Sequence, residues 1–133
     1  MDRRLLARDV LLIAADWHSR ALILGELQEA GYDVMALPGL RYGLMVVLRS
    51  RVRPRLVIAD VWQDDFATPE RVADLVQALP GVPIVLMIGT FEREAYASLR
   101  DRLAALFVRP LRIGDVVEQA RSLLSHPWHE VGA

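Results

Sequence analysis

Several stretches of this chain are apolar at nearly every position over the length of a strand: Val10-Leu11-Leu12-Ile13-Ala14-Ala15, Leu56-Val57-Ile58-Ala59 within Arg55 to Asp60, and Ile84-Val85-Leu86-Met87-Ile88 after Pro83. A strand with one face in water alternates apolar and polar residues. A run with no polar face belongs inside a parallel sheet that is covered on both sides. Leu106-Phe107-Val108, stopped by Arg109-Pro110, is a shorter fourth case, and Tyr32 to Leu37 alternates as an edge strand does.

Parallel neighbours need a crossover between them, and the intervening segments carry helical periodicity. The first holds Ile23, Leu24, Leu27 and Ala30, with Asp16 or Ser19 as its start and Gly31 placed for a left-handed C-cap. A second runs from about Leu40 to Arg51. A third opens with Thr68-Pro69, a capping residue followed by proline at the first helical position, buries Val72, Leu75, Val76 and Leu79, and ends at Pro80-Gly81. A fourth is predicted over Glu92 to Leu103, and a fifth carries Val116, Val117, Ala120, Leu123 and Leu124.

Strands alternating with helices give an α/β fold with a doubly wound, five-stranded parallel sheet. Right-handed crossovers then favour the flavodoxin-like strand order 2-1-3-4-5. The 133 residues suit one domain with a core over about 9–124 and a loose tail at 125–133. Cysteine is absent, which excludes disulfides, thiolate metal sites and thiol nucleophiles, and makes the cytoplasm the expected location. The apolar start ends at Asp16, short of a signal-peptide core or a membrane span. A formal charge of −1 gives no general attraction to nucleic acid or anionic membrane, so neither is expected as a partner.

In a sheet of this kind sites form where the strands end. Those ends supply Ala14, Ala15, Asp16 and Trp17 from the first strand, Asp60 to Trp62 from the third, Ile88 to Thr90 from the fourth, and Arg109 from the fifth. Here the chain resembles bacterial response-regulator receiver domains over roughly Asp9 to Leu124. Val10 to Ile13 with Glu29-Ala30-Gly31-Tyr32-Asp33-Val34, Pro54 to Val61, Val82 to Leu86 and Val108-Arg109-Pro110-Leu111 carry the similarity, and the peptide before Pro110 is one that the family often holds in cis.

The resemblance implies that Asp60 is the phosphoacceptor equivalent. It also marks what is missing. Ala14 and Ala15 stand where the family has its acidic, magnesium-binding pair, and Asp16 is one place too far along. Ile88 stands at the switch hydroxyl, Leu106 at the switch aromatic, Asp101-Arg102-Leu103 where an Ala-Gly-Ala turn is expected, and Arg109 replaces the lysine in a chain that has no lysine at all. A pocket of Ala14, Ala15, Asp16, Trp62, Ile88 and Arg109 around Asp60 is expected to hold no catalytic group and no metal. A carboxylate among apolar neighbours needs a partner, and Arg109 is the expected one. Thr90 is expected to cap the next helix rather than to replace the hydroxyl.

The degenerate pattern resembles that of a pseudo-receiver, which implies a signalling module without enzyme activity or cofactor, acting through protein contact. Expected partners are a histidine kinase, regulator or output protein, or a second copy, with contacts at Tyr96, Arg100, Leu111 and Arg112 on the fourth helix, fifth strand and fifth helix. The alternatives are a phosphorylation-competent regulator, for which magnesium would be needed, and a ligand-sensing module. Trp17, Trp62 and Phe91 crowd this end as contact residues or as plugs. Arg49, Arg51, Arg53 and Arg55 read as a helix end and a solvated loop, Asp64-Asp65 as solvated, and His126 and His129 as tail residues rather than metal ligands. No serine or cysteine stands in a nucleophile elbow and no glycine-rich loop follows the first strand.

Overall fold

The apolar runs form the sheet of a computed structural model that describes residues 7–50 and 52–125. In chain order the strands are β1 (Ala7–Ala14), β2 (Val34–Leu37), β3 (Arg53–Asp60), β4 (Ile84–Ile88) and β5 (Ala105–Val108); the helices are α1 (Trp17–Glu29), α2 (Leu40–Ser50), α3 (Pro69–Ala78) and α4 (Ile113–Leu124). All strand pairs are parallel, in the order β2-β1-β3-β4-β5.

Alternation along each strand divides the core into two layers. Leu11, Ile13, Val57, Ala59, Leu86 and Ile88 pack toward α2 and α3, whereas Val10, Leu12, Leu56, Ile58, Val85 and Met87 pack toward α1 and α4. Both faces of the three central strands are therefore covered, the physical reason for their unbroken apolar runs. At the layer under α2, Gly43 lets the helix lie almost on the sheet: a Cβ there would sit 2.3 Å from Ile13 Cδ1 and 2.9 Å from its Cγ1.

Capping follows the sequence signals. The Asp16 carboxylate accepts from the Ser19 amide and starts α1, Thr68 Oγ1 accepts from the Arg71 amide and starts α3, and Gly31 (φ 93°) and Gly81 (φ 80°) adopt the left-handed backbone that glycine favours. At the amino-terminal edge of the sheet Arg55 pairs with Asp9 at 3.2 Å and Arg8 with Asp33 at 3.2 Å.

The expected fourth helix over Glu92 to Leu103 is absent. A 3-10 helix spans only Ala97–Arg102, preceded by turns. Tyr96 and Leu99 are the buried residues here, and residues three apart eclipse on a 3-10 helix, so this tighter turn drives both into the α2/α3 layer. Leu103 is only half-buried. The contact expected of Tyr96 is overturned with it, because the residue is 1% exposed and belongs to the core.

Candidate functional site at the strand ends

The register places Ala14, Asp60 and Met87 side by side at the carboxyl ends of β1, β3 and β4. Asp60 shares the parity of Leu56 and Ile58, so its side chain lies in the α1/α4 layer, and it has no exposed surface. Arg109, directly after β5, closes on it from the solvent side. Nη1 donates to Oδ1 at 2.8 Å and Nη2 to Oδ2 at 2.5 Å, a two-pronged pair in which each carboxylate oxygen meets its own nitrogen. Oδ1 also accepts from the Trp62 amide at 3.1 Å, and the Trp62 ring lies under the guanidinium with 4.5 Å between Cζ and the ring centroid. The arginine side chain keeps 16% of its surface in solvent.

The loops around the pair are tied to it. The Arg109 amide donates to Ile88 O, and the Arg109–Pro110 peptide is cis. Thr90 Oγ1 donates to Arg109 O at 2.9 Å, so it fastens the loop after β4 to the end of β5 instead of capping a helix. Glu92 turns back to accept from the Gly89 amide at 2.7 Å. Beside Trp62 and Arg109 an open depression of about 460 Å³ extends to Ser19, Leu111 and Ile113.

No protein-family model matches the chain, and no curated protein matches it. Solved structures do. A CheY-like response-regulator receiver domain from Methanospirillum hungatei JF-1 aligns with a TM-score of 0.76 and 19% identity over 96% of this chain and 99% of that one. The receiver domain of NtrX from Brucella abortus gives 0.71 and 21% over 87% and 98%, and a receiver domain protein from Clostridium thermocellum 0.72 and 14% over 88% and 94%. The chain has the response-regulator receiver fold.

The receiver fold implies magnesium at this place, and the residues present do not fit it. Magnesium demands an octahedron of oxygens. Next to Asp60 stand the Ala14 methyl group, fully buried, and the half-buried Ala15. The carbonyl oxygen of Ala14 accepts from Arg20 Nη1 at 2.6 Å, with that of Ala15 at 3.5 Å. Asp16 points back into α1, where its carboxylate accepts from the Ser19 amide at 3.1 Å and Ser19 Oγ at 2.8 Å. Those bonds hold its pKa below the ordinary aspartate value, the hydroxyl bond contributing most and the amide next. The cation beside Asp60 is a guanidinium, and among the described residues no group of three or more His, Asp and Glu is placed to hold a metal ion.

The expected pocket is assembled in part. Asp60, Trp62 and Arg109 are in contact, and Ala14 adjoins them. Ile88 does not join them, because its side chain is fully buried in the opposite, α2/α3 layer. With Met87 opposite Asp60, the next residue on the Asp60 side is Gly89, just past the end of β4, which has no side chain at all. A Cβ there would lie 2.9 Å from Glu92 Oε1 and 3.3 Å from Trp62 Cδ1, so the Trp62 ring and the Glu92 carboxylate crowd the space of a switch hydroxyl.

Trp62 is half-buried as a plug over the pair, whereas Trp17 is 67% and Phe91 98% exposed. Of the expected contact residues Arg100 and Arg112 are exposed and Leu111 is half-buried. Asp64, expected to be solvated, instead accepts from the Leu40 amide at 2.8 Å and the Phe66 amide at 3.1 Å, joining the start of α2 to the loop after β3. His126 and His129 lie outside the described residues, as does Arg51. Arg20 is a residue of this end that the strand pattern does not mark. Its signal is its place one helical turn after the Asp16 cap, which turns it back over the strand end.

Proposed function

We propose that the chain is a signalling module of the two-component type that works by protein contact and is not switched by magnesium-dependent phosphorylation of Asp60. One observation carries the reading: the acceptor-equivalent carboxylate is wholly buried, and Arg109 occupies both of its oxygens. A phosphodonor needs one of those oxygens free as nucleophile, and developing phosphoryl charge needs a metal for which the neighbouring alanines supply no ligand. The likeness to receiver domains supports a role in signal transduction with a histidine kinase, a regulator or an output protein as partner. The surface left for that contact is formed by the 3-10 helix, β5 and α4, with Arg100, Leu111 and Arg112 on or beside it. No described helix is long and apolar enough to cross a membrane, and a cytoplasmic module without enzyme activity or cofactor is consistent with this site.

The test is incubation of the purified protein with magnesium and a small phosphodonor, followed by intact-mass measurement. The unmodified mass is expected. A stoichiometric phosphate adduct that disappears in Asp60→Asn would overturn the reading and make Asp60 a working phosphoacceptor.

A further inference from the structure

Helix α2 is apolar on two sides. Leu40, Gly43, Leu44 and Val47 face the sheet, while Tyr42, Met45 and Leu48, spaced three apart, stand outward and are 48%, 42% and 64% exposed. A surface helix in a folded domain normally shows solvent one polar face. Here half of the exposed large apolar residues in the described chain fall on a single helix face, a concentration that marks an interaction surface. Beside this face, Leu44 and Leu48 form with Asp74, Gln77 and Ala78 of α3 an open groove of about 320 Å³.

The charges around it are complementary to themselves. The ionic residues of α2 are Arg41 and Arg49, both exposed, and α2 carries no acid. The ionic residues of α3 are Glu70, Arg71 and Asp74, all exposed; Arg71 is turned to the Phe66 carbonyl and ring, which leaves Asp74 as the charged residue that lines the groove. Among the described residues neither Arg41 nor Asp74 makes an ion pair, although the Arg41 guanidinium lies 5.3 Å over the Phe66 ring. Arg41, Leu44 and Leu48 share the flank of α2 that faces α3 by helical spacing.

We infer that the outer face of α2, with the α2/α3 groove, binds a second copy of this chain, the two α2 helices running antiparallel about Met45. Tyr42 and Leu48 are equally spaced from Met45, so a two-fold axis there sets Tyr42 of one copy against Leu48 of the other, as an isologous contact requires. The same axis lays the α3 flanks side by side and brings Arg41 of one copy toward Asp74 of the other. This face is separate from the surface of the 3-10 helix, β5 and α4, so self-association leaves that surface open to a different partner.

Sedimentation of the purified full chain over a wide concentration range tests the inference. A reversible monomer–dimer equilibrium is expected. Met45→Glu, which sets two carboxylates across the axis, is expected to raise the dimer Kd by roughly tenfold or more. Asp74→Arg is expected to weaken the dimer, and Arg41→Glu combined with it to restore association. Arg112→Glu, on the other face, is expected to leave the Kd unchanged. Circular dichroism of each variant checks that the fold is kept, and all four positions are exposed. A chain that stays monomeric throughout, a dimer indifferent to Met45→Glu, or one weakened by Arg112→Glu instead overturns the inference.

Discussion

A carboxylate without exposed surface has to be matched oxygen by oxygen, and Arg109 with the Trp62 amide does this for Asp60. Removing the cation leaves a charge stranded in the α1/α4 layer, which costs far more than the intact pair contributes. Arg109→Ala is therefore expected to lower the unfolding free energy by about 3–5 kcal/mol, read as a shift in the urea midpoint at unchanged slope. The double variant Asp60→Leu/Arg109→Met, which removes both charges, is expected to regain most of that loss. A midpoint that does not move in Arg109→Ala would show the pair to be energetically idle. Asp60, Ala14 and Arg109 could be placed from sequence because strand ends are easy to locate and strand ends make the site. Ile88 falls outside the pocket because a resemblance along the chain takes no account of sheet register, and a slip of one residue changes the face. Arg20 and Glu92 act by reaching back over a turn, which no strand pattern records.

Among the elements, periodicity was sufficient wherever a segment had one buried stripe and a clear stop. The strands and α1, α2, α3 and α4 follow their apolar spacing and their caps, Asp16 and Thr68 among them. The segment from Glu92 to Leu103 was not legible in the same way. Tyr96, Leu99 and Leu103 fit an α-helical stripe as well as a 3-10 turn, and the choice is made by tertiary contact, with Tyr96 in the core and Glu92 spent on the Gly89 amide. Gly43 is the second element-scale feature hidden from periodicity, since a helix pattern gives no reason for a glycine there. The near approach of Ile13 gives it. Gly43→Val is expected to destabilise the fold on the order of 3 kcal/mol by overpacking β1 against α2. Gly25→Ala, on the open side of α1 with nothing within 4 Å of its Cβ, is expected to stabilise slightly. Equal effects of the two substitutions in thermal unfolding would refute the close-approach argument.

At the scale of the whole molecule the charge comes from sixteen arginines and seventeen acids, with no lysine. Arginine stays protonated at any pH a protein survives, so tyrosines are the only side chains left to titrate in the alkaline range. For Tyr96, burial first, then the carboxylates of Glu92, Asp64 and Glu70, push the pKa from 10.0 to about 12. The sign follows from linkage. The unfolded chain gives up this proton first, so the stabilisation is complete below about pH 10 and is lost as the pH climbs toward about 12. Urea midpoints measured from neutral pH upward are expected to fall through that interval. Tyr96→Phe keeps the ring in the α2/α3 layer and removes the proton, so it should match the parent chain at neutral pH and decline less steeply above about pH 10. Lysine titration, which clouds such an experiment in most proteins, contributes nothing here. Parallel curves for the two chains would show that the Tyr96 hydroxyl does not carry the alkaline loss of stability.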